Sequence, residues 1–268
     1  MAKLIIAVVL TALLLLGVMA AGCQSGTRDK VEEIDEILRE GTSQLAEVTG
    51  FIGTLKEFDF ENANFLQNAL GSIGTSRAKL RVLKASTDRL DELTYDGELE
   101  PLGQYIRLYI DATREGIAQL DEVYNGLEEI LKAIEPILRE EAVITQLEQP
   151  QDDAELLVRL RRLEAATVPA ISNLQGVEVP ALLADYKTLF LEVFTTLLNL
   201  TRNLIVVASG GSTTIDLETN PDFDSMNLLI AGYGTVVEEL YVNLKVSKID
   251  AVLEQVELEI NRLYVSRS

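Results

Sequence analysis

Apolar residues recur along this chain at alternating steps of three and four. Val31, Ile34, Leu38, Gly41, Leu45, Val48, Ile52 and Leu55 form the first such run. That spacing is the seam of a coiled coil, and strands would need a period of two. It predicts a helix over 29–57, with Asp29 and Glu32 as a capping pair. A second seam holds Leu66, Ala69, Ile73, Ser76, Leu80, Leu83, Thr87 and Leu90, and stops at the turn signal Tyr95-Asp96-Gly97. A third follows Pro101 with Ile106, Tyr109, Thr113, Ile117, Leu120, Tyr124, Leu127, Leu131, Ile134 and Leu138. It should reach residue 147, kinked rather than ended by Pro136.

The fourth helix is expected over 153–175. Asp152 and Glu155 cap it, Leu156, Leu160, Leu163 and Ile171 form its apolar face, and Pro169 is a second kink. Val179-Pro180 opens a fifth helix, whose stripe is Leu182, Tyr186, Leu189, Val193, Leu197, Leu200, Leu204 and Val207. Asn220-Pro221 opens a sixth, running to Val265 with a late seam of Val242, Val246, Ile249, Leu253, Val256, Ile260 and Leu263. The fold class is therefore all-α, an elongated antiparallel bundle of about six helices with coiled-coil-like packing, in one domain over 29–268.

Short connections make successive helices antiparallel. At 1.5 Å per residue the third helix is about 70 Å long, and the far end of the fifth lies about 80 Å from the start of the first. The third and sixth helices then bridge a lower part, built with the first two, and an upper part, built with the fourth and fifth. Within the first hairpin, Gly50 and Gly53 mirror Gly74 and Gly71 about a turn near residue 62. A glycine costs a helix about 1 kcal/mol relative to alanine, so four in register suggest close approach of two backbones. Thr188 to Ser209 is rich enough in Leu and Val to raise a membrane question. Glu192 and Arg202 inside it favour a central, well-buried bundle helix instead.

The first residues read as an address. Lys3 precedes an apolar run from Leu4 to Val18 broken only by Thr11 and Gly17, and Ala20-Ala21-Gly22 then leads into Cys23. A charged start, an apolar stretch and small residues before a cut site describe an export signal. Ala20-Ala21-Gly22-Cys23 resembles the lipobox of prokaryotic lipoproteins, with Ala20 where that family prefers Leu. The resemblance implies a signal peptide over 1–22, cleavage before Cys23, lipidation of its thiol and a short tether over 23–28. Two other readings are an uncleaved anchor, since the 18 residues from Leu4 to Ala21 just span a bilayer as a helix of about 27 Å, and a free thiol after ordinary cleavage. All three place the remainder outside the cytoplasm, held at a membrane in the first two.

Composition removes most chemistry. Of 268 residues, 23 are Lys or Arg and 43 are Asp or Glu, a net charge of −20. A chain this acidic has no basic field to displace counterions from phosphates, which argues against nucleic acid. Histidine is absent and there is one cysteine. That excludes Ser-His-Asp and Cys-His catalysis, His-ligated metal and an intrachain disulfide. No cofactor is expected, and the chain does not read as an enzyme. Ser76-Arg77-Ala78-Lys79 matches a Ser-x-x-Lys pattern without the accompanying motifs of that chemistry.

Two places stand out as binding candidates. Between the fifth and sixth helices, Asp216, Glu218, Asn220, Asp222 and Asp224 put oxygen side chains at every second position, a weak calcium candidate. An EF-hand reading fails, because Pro221 stands where the glycine is needed and Asn227 where the closing glutamate is needed. The same acids would suit a basic protein partner. The other place is Arg77, Lys79, Arg81 and Lys84, in a stretch from Asn62 to Thr87 without one acid. It could receive an anionic group, or simply pair with acidic neighbouring helices. The sequence thus points to a membrane-tethered, extracytoplasmic bundle serving as spacer, scaffold or protein-binding module, with a partner in the envelope. A small-molecule sensor is the alternative. A third reading likens the apolar stretches Leu204 to Ala208 and Leu228 to Gly234 to the head of a helical pore-forming toxin.

Overall fold

The computed structural model describes residues 25–55, 65–145, 150, 152–210, 221–244 and 246–265. Seven α-helices and no strand occur among them. They are α1 (Ser25–Thr54), α2 (Phe65–Glu92), α3 (Glu100–Thr145), α4 (Asp153–Gly176), α5 (Ala184–Ser209), α6 (Pro221–Asn243) and α7 (Val246–Val265). Single 3-10 turns, Gly97–Leu99 and Ala181–Leu183, lead into α3 and α5. The expected turn at Asp96-Gly97 holds Gly97 at a φ of 60°, which a residue without a Cβ adopts at little cost.

The seams pack as their spacing requires. Val31, Ile34, Leu38, Leu45, Val48 and Ile52 of α1 and Leu55 just after it are all buried, as are Ile73, Leu80, Leu83 and Leu90 of α2. Nearly every turn of α3 from Leu102 to Leu138 sends a side chain inward. Each fully buried Leu or Ile is worth about 1.5–3 kcal/mol, so this seam dominates stability. Both internal prolines stand inside helices without ending them: Pro136 in α3 and Pro169 in α4. Asp152 caps α4 as expected, accepting the Glu155 backbone N–H at 2.8 Å.

The helices form two staggered halves on one spine. α3 has 46 residues, about 69 Å of helix. Its first part packs against α2 and α7, and α2 packs against α1. Its second part packs against α4, which packs against α5, which packs against α6. The halves meet at the middle of α3. There the buried Tyr124 hydroxyl donates to the Val48 carbonyl of α1 at 2.6 Å. Two residues on, Gly126 supports the α4–α5 connection so closely that an added Cβ would stand 2.6 Å from Leu183 and 2.9 Å from Pro180. A glycine is needed there because the turn rests on the α3 backbone itself.

Four expectations need correction. The sixth helix is two helices, since the chain breaks between Asn243 and Val246. The break resets the helical phase, so Val242 is exposed while Leu244 is buried. Asp29 does not cap α1, because the helix already begins at Ser25. The glycines Gly50, Gly53, Gly71 and Gly74 do not face one another, and an added Cβ at any of them would meet nothing within 4 Å. The isoleucines inside the two motifs, Ile52 and Ile73, make the packing instead. Finally, α5 is not a central helix. The segment Ala181–Ser209 is long and apolar enough to cross a membrane by length and composition, yet only 28% of its most apolar window is buried. One face packs on α4 and α6, and the opposite face is open.

Candidate functional site

The upper hairpin of α5 and α6 is held by an aromatic cluster on its inner face. Tyr186, Phe190 and Phe194 follow one another at helical spacing on α5, and Tyr233 comes from α6. Ring centroids lie 5.0 Å apart for Tyr186–Phe190, 5.7 Å for Phe190–Phe194 and 5.8 Å for Tyr186–Tyr233. The two tyrosine hydroxyls share a hydrogen bond of 2.8 Å. Burial pushes both hydroxyls well above the ordinary tyrosine range. They remain neutral near pH 7, so the pair locks two helices together and offers no acid or base. At the distal end, Asn203 of α5 donates to Asp222 of α6 at 2.9 Å.

The outer face of the same hairpin carries an open groove of about 570 Å³. Leu191, Leu228 and Leu229 supply its apolar floor. Thr188, Thr195, Thr196 and Ser225 supply hydroxyls along it, and Glu192 supplies one carboxylate. Leu228 is 74% exposed. The groove follows the line where α5 and α6 meet, with the outer face of α5 on one side. Positions 188, 192, 195 and 196 lie across α5 from Tyr186, Phe190 and Val193. On α6, Ser225 and Leu229 continue the row of Tyr233 and Val237 at the edge facing α5, and Leu228 alone turns away from that row.

The basic stretch of α2 is largely spent within the bundle. Arg77 binds Glu128 and Asn125 of α3, and Lys79 binds Glu47 of α1. Lys84 pairs with Asp88 one turn on at 3.1 Å. Arg81 lies exposed on the surface. The Lys132 ammonium, followed by Arg77, holds the Glu128 carboxyl below the usual range, although partial burial opposes it. Arg114 and Lys84 do the same for Asp88. Three of the four cations thus neutralise acids, two of them between helices, which is the structural role weighed against anion binding.

Asp222 and Asp224 occupy the first turn of α6, where carboxylates complement the helix dipole. Asp216, Glu218 and Asn220, and the lipidation candidate Cys23, lie outside the described residues. Among the described residues no group of three or more acids or cysteines is placed to hold a metal ion.

A sensor would need polar groups lining an internal cavity. The nearest approach is Tyr109 beside Thr42 and Thr113, where burial outweighs the two threonines and pushes the tyrosine hydroxyl up. Gly41 closes over it, with an added Cβ only 3.3 Å from Leu83 and 3.4 Å from the Tyr109 hydroxyl. The Thr113 hydroxyl is buried beside it without a hydrogen-bond partner.

The sequence reading missed the groove. Its signal was present in α6, where apolar residues recur on all sides from Phe223 to Val237 instead of forming one stripe, a pattern that calls for partners on more than one face. The chain matches no protein-family model, no curated protein and no solved structure.

Proposed function

We propose that this protein is a lipid-tethered, extracytoplasmic spacer or scaffold, which holds a protein-binding surface away from the membrane that anchors it. The observation carrying this reading is the small-residue run Ala20-Ala21-Gly22 ending at Cys23, the sole cysteine of the chain, after an apolar export segment. The staggered bundle supports it, because a 46-residue spine separates the end near Ser25 from the α5–α6 tip. The packed interior supports a mechanical or binding role over a receptor for a small molecule.

Cys23→Ser tests the anchor. The substituted chain should take up no lipid precursor and should either leave the membrane or persist at precursor size. Unchanged size together with unchanged lipid labelling would overturn the reading.

A further inference from the structure

We infer that the open groove along the junction of α5 and α6 docks an amphipathic helix of a protein partner whose apolar face is flanked by lysines or arginines. This rests on the protein-binding reading above and gives it a place and a chemistry. The groove runs from Thr188 to Thr196 along α5, about 12 Å at 1.5 Å per residue, or two turns of a helix lying alongside. Leu191 and Leu229 are half-buried against the core, and beside them Leu228, at 74% exposure, has no packing duty in this chain. One turn further along the same α6 stripe is Gly232, where an added Cβ would meet nothing within 4 Å. An incoming backbone can therefore approach closely at that end. A two-helix groove of this kind is read by anchors at successive turns of a third helix.

Charge selects the occupant. α6 carries Asp222, Asp224, Glu238 and Glu239 and no Lys or Arg. The two cations of α5 are already engaged, Arg202 with Glu164 of α4 at 2.7 Å and Lys187 with the Gln175 and Val177 carbonyls at 3.2 and 2.6 Å. Glu192 is the one acid lining the groove, and both α5 cations bond elsewhere. A second copy of this chain, at net charge −20, would bring like charge to like charge. A bilayer would have to desolvate Glu192, Asp222 and Asp224 along with the apolar floor. A small ligand would be poorly enclosed, since such ligands are held in concave sites that bury most of their surface. A cationic amphipathic helix would cover Leu228 and bring its charge to Glu192 at the groove.

The test uses the full chain and three probes. The first is a synthetic amphipathic helical peptide of Leu and Lys, the second its Leu and Glu counterpart, and the third is vesicles of anionic or zwitterionic lipid. The Leu/Lys peptide should bind, and the Leu/Glu peptide should not. Leu228→Gln and Leu191→Gln should each weaken the Leu/Lys peptide about tenfold, the scale of losing a buried anchor. These changes leave the charge of the protein untouched, so adhesion driven by net charge alone would not respond to them. Glu192→Gln should weaken it about threefold at low salt and hardly at all near 0.5 M, where exposed charges are screened. Leu108→Gln, at an exposed leucine of α3 far from the groove, should change nothing.

The inference is overturned if neither peptide binds, if both bind alike, or if binding is indifferent to Leu228→Gln. It is equally overturned if the interaction that Leu228→Gln abolishes is with vesicles, or with a second copy in sedimentation. Lipid labelling of Cys23 is read separately and does not depend on the groove, so failure here leaves the anchor standing, and failure of the anchor leaves the peptide result standing.

Discussion

Leu83 and Leu228 are the same side chain on helices of similar length, and they live in different proteins as far as solvent is concerned. Leu83 is fully buried where α2 meets α1 and α3, while Leu228 is 74% exposed on α6. The contrast extends to their surroundings. In the lower half, buried residues occur on every turn of α1 from Val31 to Ile52. In the upper hairpin, no described residue from Arg202 of α5 to Val236 of α6 is buried. The lower half is also laced between helices by Arg89–Glu40 at 3.2 Å, Arg114–Asp88 at 3.0 Å and Lys248–Glu115 at 3.2 Å. Apolar content alone therefore does not make a core. What differs is whether a second and third helix stand opposite the apolar face. In the lower half they do, and that half is built for rigidity. In the distal hairpin they do not, and its apolar surface remains available.

The sharpest way to break this comparison is to truncate the two leucines. Leu83→Ala should lower stability by about 2–5 kcal/mol, through lost transfer energy and a cavity beside Gly41 and Tyr109. Leu228→Ala should stay within about 0.5 kcal/mol, as exposed substitutions do. Urea unfolding of both variants measures the difference, and comparable losses would show that the hairpin is packed after all. Native-state hydrogen exchange should agree, with amides of 202–209 and 223–236 opening well before those of 31–52.

Two glycines sharpen the same point at smaller scale. Gly126→Val should cost about 1–3 kcal/mol, because its side chain must displace Leu183 and Pro180 and lift the α4–α5 connection from α3. Gly71→Ala should instead stabilise by about 0.5–1 kcal/mol, since its Cβ points into open space and the helix gains propensity. Opposite signs in thermal melts are expected. Destabilisation by Gly71→Ala would restore the close approach of α1 and α2 that the glycine spacing suggests.

The smallest effect is that of pH on the docking of α7. Burial pushes the carboxyls of Asp250 and Glu257 above the usual range, and for Glu257 the charges of Asp35 and Glu254 add to it. Groups whose folded pKa is raised are unfavourable to folding when ionised, so their penalty falls away as pH drops through the raised values. Asp88 and Glu128 act in the opposite sense. Their pKa is lowered in the fold, so they stabilise it at neutral pH and cease to do so as pH falls through the lowered values. Stability should accordingly rise slightly on mild acidification before it falls in strong acid. Glu257→Gln should raise the neutral-pH melting temperature slightly and flatten the initial rise. A melting temperature that only falls with acid, in wild type and variant alike, would count against this.

Much of the fold was legible because a helix with a period near 3.5 declares its inward face in one dimension. The seams named from the sequence in α1, α2 and α3 are nearly all buried, and the Asp152 cap and Gly97 turn stand where local chemistry placed them. Those features depend on neighbours within one turn, or on a periodicity that any partner helix would read alike. The sequence also carries the export segment ending at Cys23, which is a message in residue types and needs no fold. What only the tertiary structure decided is which helix stands opposite which face. Nothing local to Gly126 says that Pro180 and Leu183 rest on it, or that Gly71 meets nothing. Nothing local to Arg77 and Lys79 says that Glu128 and Glu47 await them. Leu191 and Leu228 read in sequence like any core leucine. The exposure of Leu228 follows from the number of described helices in the upper half, where α6 packs mainly on α5 and no further described helix covers its other side.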